Sequence, residues 1–86
     1  MSKAAKALER LLRGTSDASF SFEEVRRILL RLGFEERVKG SHHIFSYPGV
    51  PEILNLQPKG TAAKSYQVKQ VRTLLVAYRL VPDGNP

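Results

Sequence analysis

His42 and His43 stand side by side in the run Gly40-Ser41-His42-His43-Ile44-Phe45 and are the only histidines of a chain that has no cysteine. Neutral imidazole takes up a proton near physiological pH and returns it in a later step, so this run offers general acid–base chemistry. A metal centre is not expected, because adjacent histidines on a strand diverge and no third ligand follows at a metal-binding interval. A serine hydrolase needs a strained nucleophile turn and an acid behind the imidazole, and neither Ser41 nor Ser65 has that setting. Lys59-Gly60-Thr61 is too short a fragment for a phosphate-cradling loop. The chemistry these residues permit is cleavage of RNA by its own 2′-hydroxyl. That reaction needs a base at the hydroxyl, cations at the phosphate and a proton for the leaving oxygen, and it needs no metal or other cofactor. His42, with Lys39, Lys59 and neighbouring arginines, can supply those parts.

The charge distribution points to the same class of partner. Fourteen Lys and Arg against eight Asp and Glu give a net charge of +6 over 86 residues. From Ile53 to Pro82 there are Lys59, Lys64, Lys69, Arg72 and Arg79 and no acid, while every acid except Asp83 lies at or before Glu52. A polyanion such as nucleic acid, or an acidic protein, complements that surface. The absence of cysteine fits a reducing cytoplasm. Residues 1–13 carry charges too often for a signal peptide or a membrane span, so a soluble, cytoplasmic protein without membrane association is expected.

These residues need a scaffold, and the hydrophobic pattern supplies one. A chain of this length builds a single domain, 1–86, with one core that buries about 60% of the unfolded surface. Ala4, Leu8, Leu11 and Leu12 recur at helical spacing before Gly14, which predicts a helix over 3–13. Thr15 to Ser19 is a polar linker. Ser21 and Glu24 have capping-box spacing and Phe20 and Val25 that of a hydrophobic staple. A second helix therefore starts there, with Phe22, Val25, Ile28, Leu29 and Leu32 as its apolar stripe and Gly33 as its stop. Phe34, Glu36 and Val38 alternate with Glu35, Arg37 and Lys39, predicting a strand, and Gly40-Ser41 a tight turn. His42 to Tyr47 is the second strand. Pro48 to Pro51 breaks the ladder, and Ile53 to Leu56 is a short third strand. After a loop from Gln57 to Ala63, residues 65–80 return to helical spacing through Val68, Val71, Leu74, Leu75 and Tyr78, flanked by a stripe of Lys69, Arg72 and Arg79. Residues 82–86 form a frayed tail. The expected fold is α+β, a two-layer sandwich of a three-stranded antiparallel sheet with helices on one face and the other face open.

Strand parity separates the two histidines, because successive side chains point to opposite faces. His42, Ile44 and Ser46 share one face and His43, Phe45 and Tyr47 the other. With Phe45 in the core, His43 points inward and His42 outward. A different buried face reverses the assignment.

Gly33-Phe34, the run from Gly40 to Phe45, Leu54-Asn55-Leu56-Gln57, Gly60 and Ser65-Tyr66-Gln67-Val68-Lys69-Gln70 together resemble the HicA toxins of type II toxin–antitoxin systems, over roughly residues 20–80. The resemblance implies a fold like that of double-stranded-RNA-binding domains, with helix 3–13 as an addition. It also implies a ribonuclease acting on mRNA through one histidine of the Gly-Ser-His motif, and a HicB-type antitoxin as partner. On this chain the catalytic histidine is His42, the residue after Gly40-Ser41. In some members the histidine sits one position later, which keeps His43 as the alternative. Tyr47-Pro48 departs from the basic or histidine-containing dipeptide often found after the motif phenylalanine. Lys39, Lys59, Lys69, Arg72 and Arg79 are the candidate RNA contacts. A non-catalytic RNA-binding module of the same fold is the second reading, since double-stranded RNA is recognised by shape, phosphate and 2′-hydroxyl contacts. An adaptor for an acidic protein is the third.

Overall fold

A computed structural model describes residues 2–81; the tail expected over 82–86 lies outside the described residues. The element order is α1 (Lys3–Arg13), a 3-10 turn (Asp17–Ser19), α2 (Phe22–Leu32), β1 (Glu35–Lys39), β2 (His42–Ser46), β3 (Leu54–Leu56) and α3 (Ser65–Ala77). This is the α+β architecture expected from the sequence. The sheet is an antiparallel meander in the order β1-β2-β3.

Local chemistry sets most of the boundaries. Ser2 Oγ accepts from the Ala5 amide to cap α1, and Gly14 ends it in the left-handed conformation. The capping box at α2 is complete: the Glu24 amide donates to Ser21 Oγ, and the Ser21 amide donates to Glu24 Oε1. Gly33 closes α2 as its amide donates to the Leu30 carbonyl and that of Phe34 to Leu29. Helix α3 stops at Ala77, three residues before the expected end. There the amides of Arg79 and Leu80 turn back onto the carbonyls of Val76 and Leu75, with Arg79 at a φ of 53°. This is a Schellman closure made without glycine, which is why the hydrophobic spacing ran past it.

One core joins all the layers. Leu8 and Leu11 of α1, Val25, Ile28 and Leu29 of α2, and Val68, Val71, Leu74 and Leu75 of α3 are buried with Phe45, Leu54 and Leu56 of the sheet. Helix α1 is therefore part of the domain core. The β3–α3 connection is also pinned, because the Phe22 amide donates to the Thr61 carbonyl and the Ala63 amide to that of Phe20.

Candidate active site

The β1–β2 turn places the histidines. Of its two central residues only Gly40 has a positive φ, 58°, as a tight hairpin turn of the II′ kind requires. Lys39 then stands directly opposite His42, and Arg37 opposite Ile44, while Ile44 also faces Asn55 of β3. Partners directly across a ladder share a face, so Lys39, Arg37, His42 and Asn55 lie together on the open side of the sheet. Phe45 is fully buried beneath them on the helical side.

His42 is exposed, and its Nδ1–H donates to Asn55 Oδ1 at 3.0 Å. His43 points the other way. Its Nδ1 donates to Glu36 Oε2 at 2.8 Å, and its ring lies 4.7 Å from that of Phe22. The His43 and Glu36 side chains are only 20% and 10% exposed, and Arg26 Nε donates to both Glu36 oxygens at 2.9 Å. The Arg26 hydrogen bonds, helped by those of His43 and opposed by burial, hold the Glu36 carboxyl below its ordinary value. His43 thus belongs to an inward cluster with Glu36 and Arg26, and His42 is the exposed histidine of the two. Glu36 already stood on the apolar side of the strand alternation, the one signal in the sequence that an acid there needed partners.

Helix α3 holds the site from behind. Gln67 is buried, yet every polar atom of its amide is used: Oε1 accepts from the Gln57 amide at 3.1 Å, and Nε2 donates to the Asn55 carbonyl at 3.5 Å. The same two residues, Asn55 of β3 and Gln57 just after it, then reach forward. Asn55 bonds His42, and Gln57 Nε2 donates to Ser41 Oγ at 2.9 Å. Asn55, Gln57 and Gln67 were visible as motif letters, but no role followed from them in the sequence.

The expected cations divide into groups. Lys39 joins His42 on the open face. Lys59 sits in the turn that it closes with Ala62, on a groove of about 710 Å³ lined by Pro58, Lys64, Ser65 and Tyr66. Lys69 lines a second groove, of about 300 Å³, with Glu52, Ile53 and Tyr66, between α3 and the edge strand β3. Arg79 is exposed beyond the end of α3. Arg72 is the exception to the expected stripe: its guanidinium is engaged by Asp17 and by the Leu11 carbonyl, because α1 and the turn after it pack over that side of α3. No continuous basic stripe results.

Among the described residues, no group of three or more His, Cys, Asp or Glu side chains converges as for a metal ion, and no helix is long and apolar enough to cross a membrane. A family model described as HicA toxin of bacterial toxin–antitoxin matches residues 22–75, from the first residue of α2 into the last turn of α3. No curated protein and no solved structure matches the chain.

Proposed function

The chain belongs to the HicA toxin family of bacterial toxin–antitoxin systems, and from that premise we propose that it is a metal-independent endoribonuclease that cuts mRNA with His42 as its base. The observation that carries the reading is the placement of His42. It is the exposed histidine, with Lys39 directly across the ladder and Arg37 further along the same open face. His43, turned inward onto Glu36, is the weaker candidate.

The reaction follows from these groups. RNA lies across the open face with a 2′-hydroxyl against the His42 imidazole and the adjoining phosphate beside Lys39 and Arg37. His42 takes the hydroxyl proton as the 2′ oxygen bonds to phosphorus. The bond from phosphorus to the 5′ oxygen breaks, and that oxygen takes up a proton. A 2′,3′-cyclic phosphate and a 5′-hydroxyl end result. The two cations meet the negative charge that builds on the phosphate oxygens. Lys59, Lys69 and Arg79 meet the RNA beyond the scissile bond. Cutting mRNA in the cytoplasm stops translation and growth, and a HicB-type antitoxin restrains the toxin by covering the cationic open face.

The test is degradation of a defined mRNA by the purified chain and its His42→Ala and His43→Ala variants, with and without EDTA, after circular dichroism has confirmed folding. Cleavage that survives EDTA and disappears with His42→Ala is the expected result. Bound but intact RNA in every lane transfers the protein to the reading of a non-catalytic RNA-binding module.

A further inference from the structure

Imidazole is a base only at a nitrogen that carries no proton, so a histidine base needs its tautomer fixed as well as its position. Asn55 Oδ1 is an acceptor with no hydrogen to give. The 3.0 Å contact therefore puts the His42 proton on Nδ1 and leaves the Nε2 lone pair free. Asn55 is itself fixed twice. Its strand is paired to β2 in a register that sets it opposite Ile44, and its carbonyl is tied to buried Gln67 of α3.

We infer that Asn55 is a positioning residue of the site: it holds His42 in the Nδ1–H tautomer, with Nε2 presented to the RNA, and Gln67 holds Asn55. The inference rests on the nuclease reading for its consequence but not for its geometry. The charged groups on the face that His42 shares are Lys39, Arg37 and Glu35 of β1; the groups that reach it from β3, from the residue after β3 and from the β1–β2 turn, Asn55, Gln57 and Ser41, are neutral. Nothing ionised therefore stands in the place of the Asn55 amide. An orienting group without charge fixes the ring by a hydrogen bond alone.

Two measurements on the full chain test this. Nitrogen-15 NMR of the ring nitrogens, with His42→Gln assigning the signal, should show His42 as the Nδ1–H tautomer. Asn55→Ala should release it to the Nε2–H form that free histidine favours. The kinetic counterpart is the pH profile of mRNA cleavage. Asn55→Ala should lower kcat by about tenfold or more at little change in KM, a part of the roughly 10²–10⁴-fold that a positioned base contributes. Asn55→Asp should restore the tautomer but move the acid limb of the profile to higher pH, because a carboxylate favours the protonated ring. Asn55 is exposed, so both variants should fold. Wild-type His42 in the Nε2–H form, or Nδ1–H persisting in Asn55→Ala, overturns the inference. The tautomer is read without RNA, so RNA left intact by wild-type protein counts against the nuclease reading alone.

Discussion

Arg72 and Asp17 meet fork to fork, Nη1 donating to Oδ1 at 2.7 Å and Nη2 to Oδ2 at 2.9 Å, and this pair ties α3 to the turn between α1 and α2. Nη1 also donates to the Leu11 carbonyl at 3.2 Å, at the end of α1. The side chains are only 18% and 22% exposed, so solvent screening removes only part of the interaction. Hydrogen bonds to charged groups contribute about 1.5–3 kcal/mol, and Arg72→Met should lower the free energy of unfolding by roughly 2 kcal/mol in urea titrations. Arg72→Lys should recover little, since an ammonium cannot reproduce the fork. RNA affinity, compared between fully folded samples, should be unchanged. A normal urea midpoint with weakened RNA binding would return Arg72 to the phosphate contacts.

Gly14 belongs to the same junction. Its φ is +72°, and a Cβ built there comes within 3.3 Å of Arg72 Cζ. A left-handed residue other than glycine costs about 1–2 kcal/mol, and in Gly14→Ala the displaced guanidinium adds to that. In an Arg72→Met background only the backbone cost remains. A double-mutant cycle on Gly14→Ala and Arg72→Met should therefore show the pair costing less than the sum of the singles, and strict additivity would mean that Arg72 yields freely.

Acid should unfold the protein through named carboxylates. The Arg72 hydrogen bonds hold Asp17 below its ordinary value of 3.8, and those of Arg26 hold Glu36 below 4.5. Burial works against Glu24, but its bonds from the Ser21 amide and Arg10 outweigh it and lower that group as well. For a group lowered on folding, the folded state binds fewer protons than the unfolded one. The stabilisation is fully present above the unfolded value and is lost as pH falls through the folded one. Stability from urea titrations should thus be level above about pH 5 with respect to these groups, and should fall steadily below about pH 4.5. In Arg72→Met the decline should be shallower, because Asp17 loses the hydrogen bonds that chiefly lower it.

The features legible in the sequence were those made by neighbours along the chain. Ser21 and Glu24 are three residues apart, and alternation about Phe45 sufficed to turn His42 out and His43 in. The missing parts join distant positions. Asp17 lies 55 residues before Arg72, and His42 lies 13 before Asn55, so neither bond exists until helices pack and strands find register. Arg79 in the left-handed conformation gave no warning of the end of α3, because its type does not ask for that conformation. Gln67 read as one more polar residue on a helix, whereas its place in the core beside Val68 makes its amide a structural group.

The open-face cations should separate from the rest by function. Lys39→Gln and Arg37→Gln should each lower the cleavage rate of short and long RNA alike, since both stand on the face of His42. Each should also reduce the slope of log affinity against log salt by roughly 0.7 for the single-stranded phosphate contact it gives up. Lys69→Gln should weaken binding of long RNA only, as Lys69 stands on the groove between α3 and the edge of β3. Equal loss from Lys39→Gln and Lys69→Gln on a substrate of two or three nucleotides would move the scissile phosphate away from the sheet face.

Gln67 gives the sharpest separation of site from scaffold. Its buried amide satisfies two backbone groups along the free edge of β3 and just past its end, the Asn55 carbonyl and the Gln57 N–H, in part-buried hydrogen bonds. Gln67→Leu keeps the volume but removes the partner of both part-buried groups, which should cost about 1–3 kcal/mol in all. The strand then loses the restraint that sets Asn55 against His42 and Gln57 against Ser41. Cleavage measured well below the melting temperature should fall further than the folded fraction of Gln67→Leu explains, and the His42 ring should lose its single tautomer in the NMR spectrum. Val68→Ala is the control: Val68 is fully buried on the neighbouring position of α3 but bonds nothing in the sheet. It should cost comparable stability, in the range of about 1–3 kcal/mol for removing two buried methyl groups, while sparing the rate per folded molecule. If both variants lose rate in proportion to stability, the α3 amide is a fold element and β3 holds the site unaided.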